Sequence, residues 1–216
     1  MASQADHSLP NKFCLYIGDT GSGKSQALKQ LGKIPGRGVR CLMWDPGEDH
    51  KAQRCTTLRQ FERTVAAGIR RGGGFRIALT LPGLQQTAAN HELWCSIVYQ
   101  VLNGRRLTYV IDEELSAVTR SAGKADPALG LMLNQGRKFG LVYHGTIQYP
   151  QELSKTVYRA CQTLFVGIQD VEAVRYVARR LAVEPGEIAR LKPLQFIKSE
   201  KHQPNKTIQM KYKKMA

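Results

Sequence analysis

Acidic residues are scarce in this 216-residue chain: 17 Asp plus Glu stand against 32 Lys plus Arg, a formal charge of +15. So one-signed a field attracts phosphate backbones or anionic membrane surfaces. Cysteine is sparse and unpaired. Cys14, Cys41, Cys55, Cys95 and Cys161 are scattered, with no CxxC pair and no neighbouring His at metal-ligand spacing, which excludes a disulfide framework and a zinc site by pattern. They are expected as reduced thiols, mostly core filler, in a cytosolic setting. No apolar stretch reaches the roughly 20 residues a membrane helix needs. The start, MASQADHSLPNK, has neither the basic end nor the apolar run of a signal peptide, so membrane contact is expected only through a partner. Repeats and low-complexity linkers are also missing, while 42% hydrophobic and 23% charged residues are the proportions of a folded domain.

What the chain does have is alternation. Short apolar runs at 13–17, 39–44, 75–81, 107–111, 139–147 and 163–168 read as strands, and helical patterns follow at 24 onward, 56–69, 88–102, 127–136, 151–158 and 171–181. That rhythm predicts an α/β fold, a mainly parallel central sheet flanked by helices. Residues 117–126 are polar and glycine-containing and are expected as a mobile surface loop. Past Leu194 the rhythm breaks into short alternating strands, 194–198 and 207–212, a small basic C-terminal β-hairpin ending in KYKKMA. The expected organisation is one domain over 1–216, with an N-terminal tail (1–11), a core (12–192) and the basic hairpin and tail (193–216).

The segment GDTGSGKS, residues 18–25, fits the P-loop pattern Gly-x4-Gly-Lys-Ser/Thr at every position and sits between a predicted strand and a predicted helix. Its glycines let the backbone wrap a polyphosphate so that amides and the helix N-terminus face the negative charge. The nucleotide-binding residues are therefore expected to be Gly18, Asp19, Thr20, Gly21, Ser22, Gly23, Lys24, Ser25 and Gln26. Lys24 is expected to reach the β- and γ-phosphates and Ser25 to ligate Mg2+. LTYVIDEE then ends an apolar strand at Asp112 and Glu113, at the carboxyl edge where open α/β sheets bind ligands. Asp112 is expected as the second metal residue and Glu113 as the general base. Glu114 is the rival base, although strict alternation would turn it to the other side of the backbone. HGTIQYPQE places Gln148 at the end of the next strand, beside the γ-phosphate if the two strands are neighbours.

Four segments, GDTGSGKS, LMWDPGED, TYVIDEE and GRKFGLVYHGTIQYPQELSK, together resemble the HerA/FtsK superfamily of P-loop motors, and within it the genome-packaging ATPases of tailless, membrane-containing double-stranded DNA viruses. The resemblance spans most of residues 13–168. It implies a homo-oligomeric ring, usually of six subunits, with ATP at subunit interfaces and double-stranded DNA in the channel. It also implies viral capsid or vertex proteins as partners, and a location in the virion at the packaging vertex and in the host cytoplasm. Gln148 matches the family's sensor glutamine, and Arg137 is the first candidate for a catalytic arginine finger, with Arg71 and Arg76 behind it.

The leading expectation is an ATP-hydrolysing translocase that packages double-stranded viral DNA, with ATP and Mg2+ as cofactors. Arg70, Arg71, Lys124, Lys213 and Lys214 are its candidate DNA contacts. Two alternatives stand beside it: a filamentous-phage type of assembly and export ATPase, which calls for a transmembrane segment, and a small-molecule P-loop kinase, which calls for an acceptor pocket and lid.

Overall fold

The computed structural model of the protein describes residues 4–214. Nine strands form one mixed sheet in the order β3-β4-β2-β5-β6-β1-β7-β8-β9. The parallel part comprises β1 (Cys14–Ile17), β2 (Arg40–Trp44), β3 (Gln53–Cys55), β4 (Phe75–Leu79), β5 (Thr108–Asp112), β6 (Leu141–Ile147) and β7 (Thr163–Val166). β8 (Gln195–Glu200) and β9 (Lys206–Gln209) then run antiparallel. The expected hairpin is therefore no appendage: β8 pairs with β7 along its full length, from Thr163 opposite Glu200 to Val166 opposite Ile197, and the hairpin extends the central sheet.

Two faces of the sheet bury two cores. Because side chains alternate along a strand, Leu15, Ile17, Leu42, Trp44, Val110 and Tyr143 pack on one face, beneath α2 (Leu58–Arg71), α3 (Ala88–Val101) and α5 (Pro127–Gln135). Tyr16, Met43, Ile111, Val142 and Phe165 pack on the other with Ala27 and Leu28 of α1 (Lys24–Leu31). Tyr16 and Phe165 stack there, ring centroids 5.0 Å apart. The register aligns Trp44 with Asp112, Asp112 with Gly145, and Ile17 with both Ile147 and Val166. β1, β6 and β7 thus end together, β2 and β5 end level with Gly145 just before them, and this carboxyl edge carries the loops that follow.

The remaining helices are α4 (Leu115–Val118), α6 (Lys155–Ala160), α7 (Val171–Leu181) and α8 (Pro185–Ala189). α4 takes the first residues of the expected surface loop, and the rest, 119–126, is a loop exposed over 120–124 and anchored at its end. Val118 and Ala125 are buried, Lys155 N donates to Ala122 O, and Ala125 N to Thr156 Oγ1. The N-terminal tail is also tied down, through Gln4 N to Asn103 O and Asp6 N to Lys138 O.

Candidate active site

The loop from Gly18 to Gly23 leaves β1 and enters α1, and two of its glycines adopt backbone angles closed to most residues: Gly21 at φ 77° and Gly23 at φ 96°. Gly23 has a second reason to lack a side chain, because a Cβ there would lie 2.6 Å from Leu194 Cδ2. Leu194 is held in place by its own N–H, which donates to Ser22 O at 3.0 Å. The amides of the first turn of α1 have no intrahelical acceptor. Lys24 Nζ bridges the mouth of the loop, donating to Gly18 O at 2.7 Å and Asp19 O at 3.1 Å. Burial pushes its pKa down, and the charges of Glu113 and Asp19 oppose that shift. The Ser22 hydroxyl is buried with no protein partner.

A cavity of about 480 Å3 opens beside this loop, lined by Lys24, Ser25, Gln26, Glu113, Glu114, Thr146 and Gln148. The structure thus brings together most of the residues singled out from the sequence. Asp112 is one exception. It is fully buried on the opposite face of the sheet, where His91 Nε2 lies 2.9 Å from Oδ1 and the Tyr143 hydroxyl donates to Oδ2 at 2.8 Å. Both oxygens are occupied in the core, so the expectation that Asp112 faces a metal is corrected. The reason is the strand's alternation: Ile111 belongs to the α1 face, so Asp112 must point away from it.

Glu113 turns back to the α1 face. Its Oε1 lies 2.8 Å from His50 Nε2 and its Oε2 accepts from the Thr146 hydroxyl, all three groups being buried. Alternation would then send Glu114 away again, but Glu114 sits at φ 58°, in the left-handed region, and the chain leaves the strand there. Both glutamates therefore line the cavity. Burial, then the charge of Glu113, pushes the Glu114 pKa up.

His50 reaches Glu113 from a built loop. Asp45, fully buried, accepts from Asp49 N at 2.9 Å and His50 N at 3.2 Å. Arg54 clasps the same loop, donating to Asp45 Oδ2 at 2.9 Å, to Glu48 O and to His50 O. This loop contains the DPGED sequence that carries part of the family resemblance, yet His50 just after it was not singled out. A histidine in a polar loop has no periodic signature. Pro193, Leu194 and Tyr212 form the remaining wall of the cavity; Tyr212 was hidden within the basic tail.

Gln148 stands at the end of β6, next to β5 in the sheet, and its Nε2 donates to Thr20 Oγ1 of the loop at 3.2 Å. The arginines are elsewhere. Arg137 precedes β6, at the sheet's opposite edge, and its guanidinium donates to the carbonyls of His7 and Leu9. Arg71 ends α2 and borders a surface depression with Arg63 and Arg70. Arg76 lies early in β4 and donates to Lys51 O and Pro35 O. None of the three enters the cavity of its own chain.

No family model matches the chain. Protein P9 of Pseudoalteromonas phage PM2 is 36% identical to it over 190 residues, covering 87% of this chain and 83% of that protein. The chain belongs to the P9 family. Among solved structures, the genome packaging NTPase B204 of Sulfolobus turreted icosahedral virus 2, in complex with AMPPCP, superposes with a TM-score of 0.73 at 14% identity, over 94% of this chain and all (100%) of that one. The bacterial conjugative coupling protein TrwB gives 0.64 at 12% identity, over 98% and 88%. These likenesses establish the P-loop NTPase fold.

Proposed function

We propose that this chain is an ATP-hydrolysing motor that drives double-stranded DNA into a preformed viral capsid, acting as a ring of its own copies at the packaging vertex. The observation that carries the reading is the convergence of Lys24, Ser25, Glu113, Glu114 and Gln148 on one cavity at the carboxyl edge of the sheet. Its P9 relationship, a fold shared with a genome packaging NTPase and the charge of +15 point the same way.

The donor set fits a magnesium nucleotide. The loop from Gly18 to Gly23 has the open curvature a polyphosphate needs, the orphaned Ser22 hydroxyl is a polar group in want of a partner, and Ser25 and Glu113 supply the hard oxygen donors that magnesium prefers. Held by those two residues, the ion would offset charge on the β- and γ-phosphates. Lys24 exchanges its two carbonyl partners for phosphate oxygens. Glu113 thus takes the metal-side role expected of Asp112, and Glu114 takes the role of general base. A carboxylate with a raised pKa is the better proton acceptor from water, and Glu114 is reached only because the backbone turns at φ 58°. Gln148, beside Thr20, can donate to the terminal phosphate and accept from the attacking water.

For the export reading, no helix among the described residues is long and apolar enough to cross a membrane, so nothing in the structure favours it.

The test is the steady-state ATPase rate with and without duplex DNA across a salt series, for the wild type and for Lys24→Ala and Glu113→Gln. DNA stimulation that fades with salt and disappears in both variants is the expected result. Robust turnover indifferent to DNA would remove the motor from the proposal.

A further inference from the structure

Beside the nucleotide cavity lies a second one, of about 580 Å3, floored by Leu28 and Ile111 and ringed by Lys29, Lys51, Arg76, Lys213 and Lys214. Asp49 and Gln26 line both cavities. His50 lines the second while its Nε2 holds Glu113 in the first. Two cations of the ring engage main chain on either side of this histidine: Lys29 Nζ donates to Asp49 O, and Arg76 Nε donates to Lys51 O at 3.3 Å. The position of His50 is therefore fixed from below by Asp45 and Arg54 and flanked by two cations that each donate to an adjoining carbonyl. A phosphodiester is a stronger acceptor for both cations than a carbonyl, because the bond becomes charged on both sides.

We propose that this basic cavity takes a backbone phosphate of duplex DNA, and that its occupancy is passed to Glu113 through His50. The inference rests on the DNA-motor reading above. An incoming phosphate draws Lys29 and Arg76 away from the carbonyls of Asp49 and Lys51, the residues adjoining His50. The histidine shifts, and with it the carboxylate it positions. The ring of five basic side chains supplies the attraction; the single acidic neighbour, Asp49, lies on the wall shared with the nucleotide. His50 acts here as a positioning residue, through a hydrogen bond and not through its own titration.

The experiment follows two sets of variants on the full chain. The first is Lys51→Gln combined with Lys214→Gln, read by fluorescence anisotropy of a labelled 30-base-pair duplex over a salt series and by the ratio of DNA-stimulated to DNA-free ATPase. If that phosphate contact is lost, the salt slope of binding falls by about 1 and the duplex concentration for half-stimulation rises by about tenfold. The second set is His50→Ala and His50→Gln. His50→Ala is expected to bind duplex as the wild type does and to keep its KM for ATP, while kcat falls and stimulation disappears. His50→Gln, which retains a donor, restores part of both. An unchanged salt slope in the lysine variant, or full stimulation in His50→Ala, overturns the inference while leaving the motor reading intact. A wild type that DNA does not stimulate overturns both.

Discussion

The Tyr143 hydroxyl donates to Asp112 Oδ2 at 2.8 Å on the face of the sheet away from the P-loop. That bond, with His91 on the other oxygen, makes Asp112 a fastening between β5, β6 and α3. Asp112→Ala strands a buried hydroxyl and a buried imidazole, and unfolding in urea is expected to show a loss of about 3 kcal/mol or more. The KM for ATP of the folded protein is expected to be unchanged. Glu113→Gln is expected to do the reverse, with stability within about 1 kcal/mol of wild type and turnover down by about a hundredfold or more. A turnover defect in Asp112→Ala without a stability defect would reverse the assignment of the two acids.

Glu114→Gln removes the proton acceptor while keeping size and shape. Turnover is expected to fall by about 10²–10⁴ with ATP affinity retained, measured by nucleotide titration and single-turnover hydrolysis. Wild-type turnover in this variant would return the base to Glu113.

Much of the site was legible because the P-loop is a contiguous signal: a strand, a glycine-rich loop and a helix in sequence order. The same holds for strands such as β2 and β6, whose apolar runs stand out. The facing of the acids was harder to read. It depends on a φ of 58° at Glu114, and no local residue type announces that a glutamate will adopt it. β3, three residues with only Cys55 buried, carries too little apolar pattern to be seen, and His50, the partner of Glu113 Oε1, arrives from 63 positions away in sequence. Contacts of that kind are made by the assembled sheet and not by spacing.

His144 lies on β6 under α1, its ring stacked on Tyr16 with the hydroxyl 3.2 Å from Nδ1. Burial pushes its pKa down to about 4, whereas an unfolded histidine titrates near 6.5. Between those values the unfolded chain binds a proton that the folded chain refuses, so this contribution is complete above about pH 6.5 and is lost as the pH falls towards 4. The gap corresponds to about 3 kcal/mol. Thermal melts at pH 7 and pH 4.5 are expected to differ less in His144→Asn than in the wild type; an identical acid loss would show that other groups set it.

Arg137 is spent on the carbonyls of His7 and Leu9. Arg137→Ala is expected to cost about 1–3 kcal/mol of stability, as charged hydrogen bonds to the N-terminal segment are lost, and to change the ATPase rate by no more than a few fold. A thousandfold rate loss at unchanged stability would instead mark it as an arginine finger acting on a neighbouring subunit.

The nucleotide cavity draws its walls from Thr20 at one end of the chain and from Pro193, Leu194 and Tyr212 at the other, while Gln26 and Gln30 of α1 hold the main chain of Lys211 and Lys213. During synthesis, then, the P-loop leaves the ribosome well before Pro193, Leu194 and Tyr212, and its pocket stays open until they arrive. The wall closes only once β8 and β9 have joined the sheet.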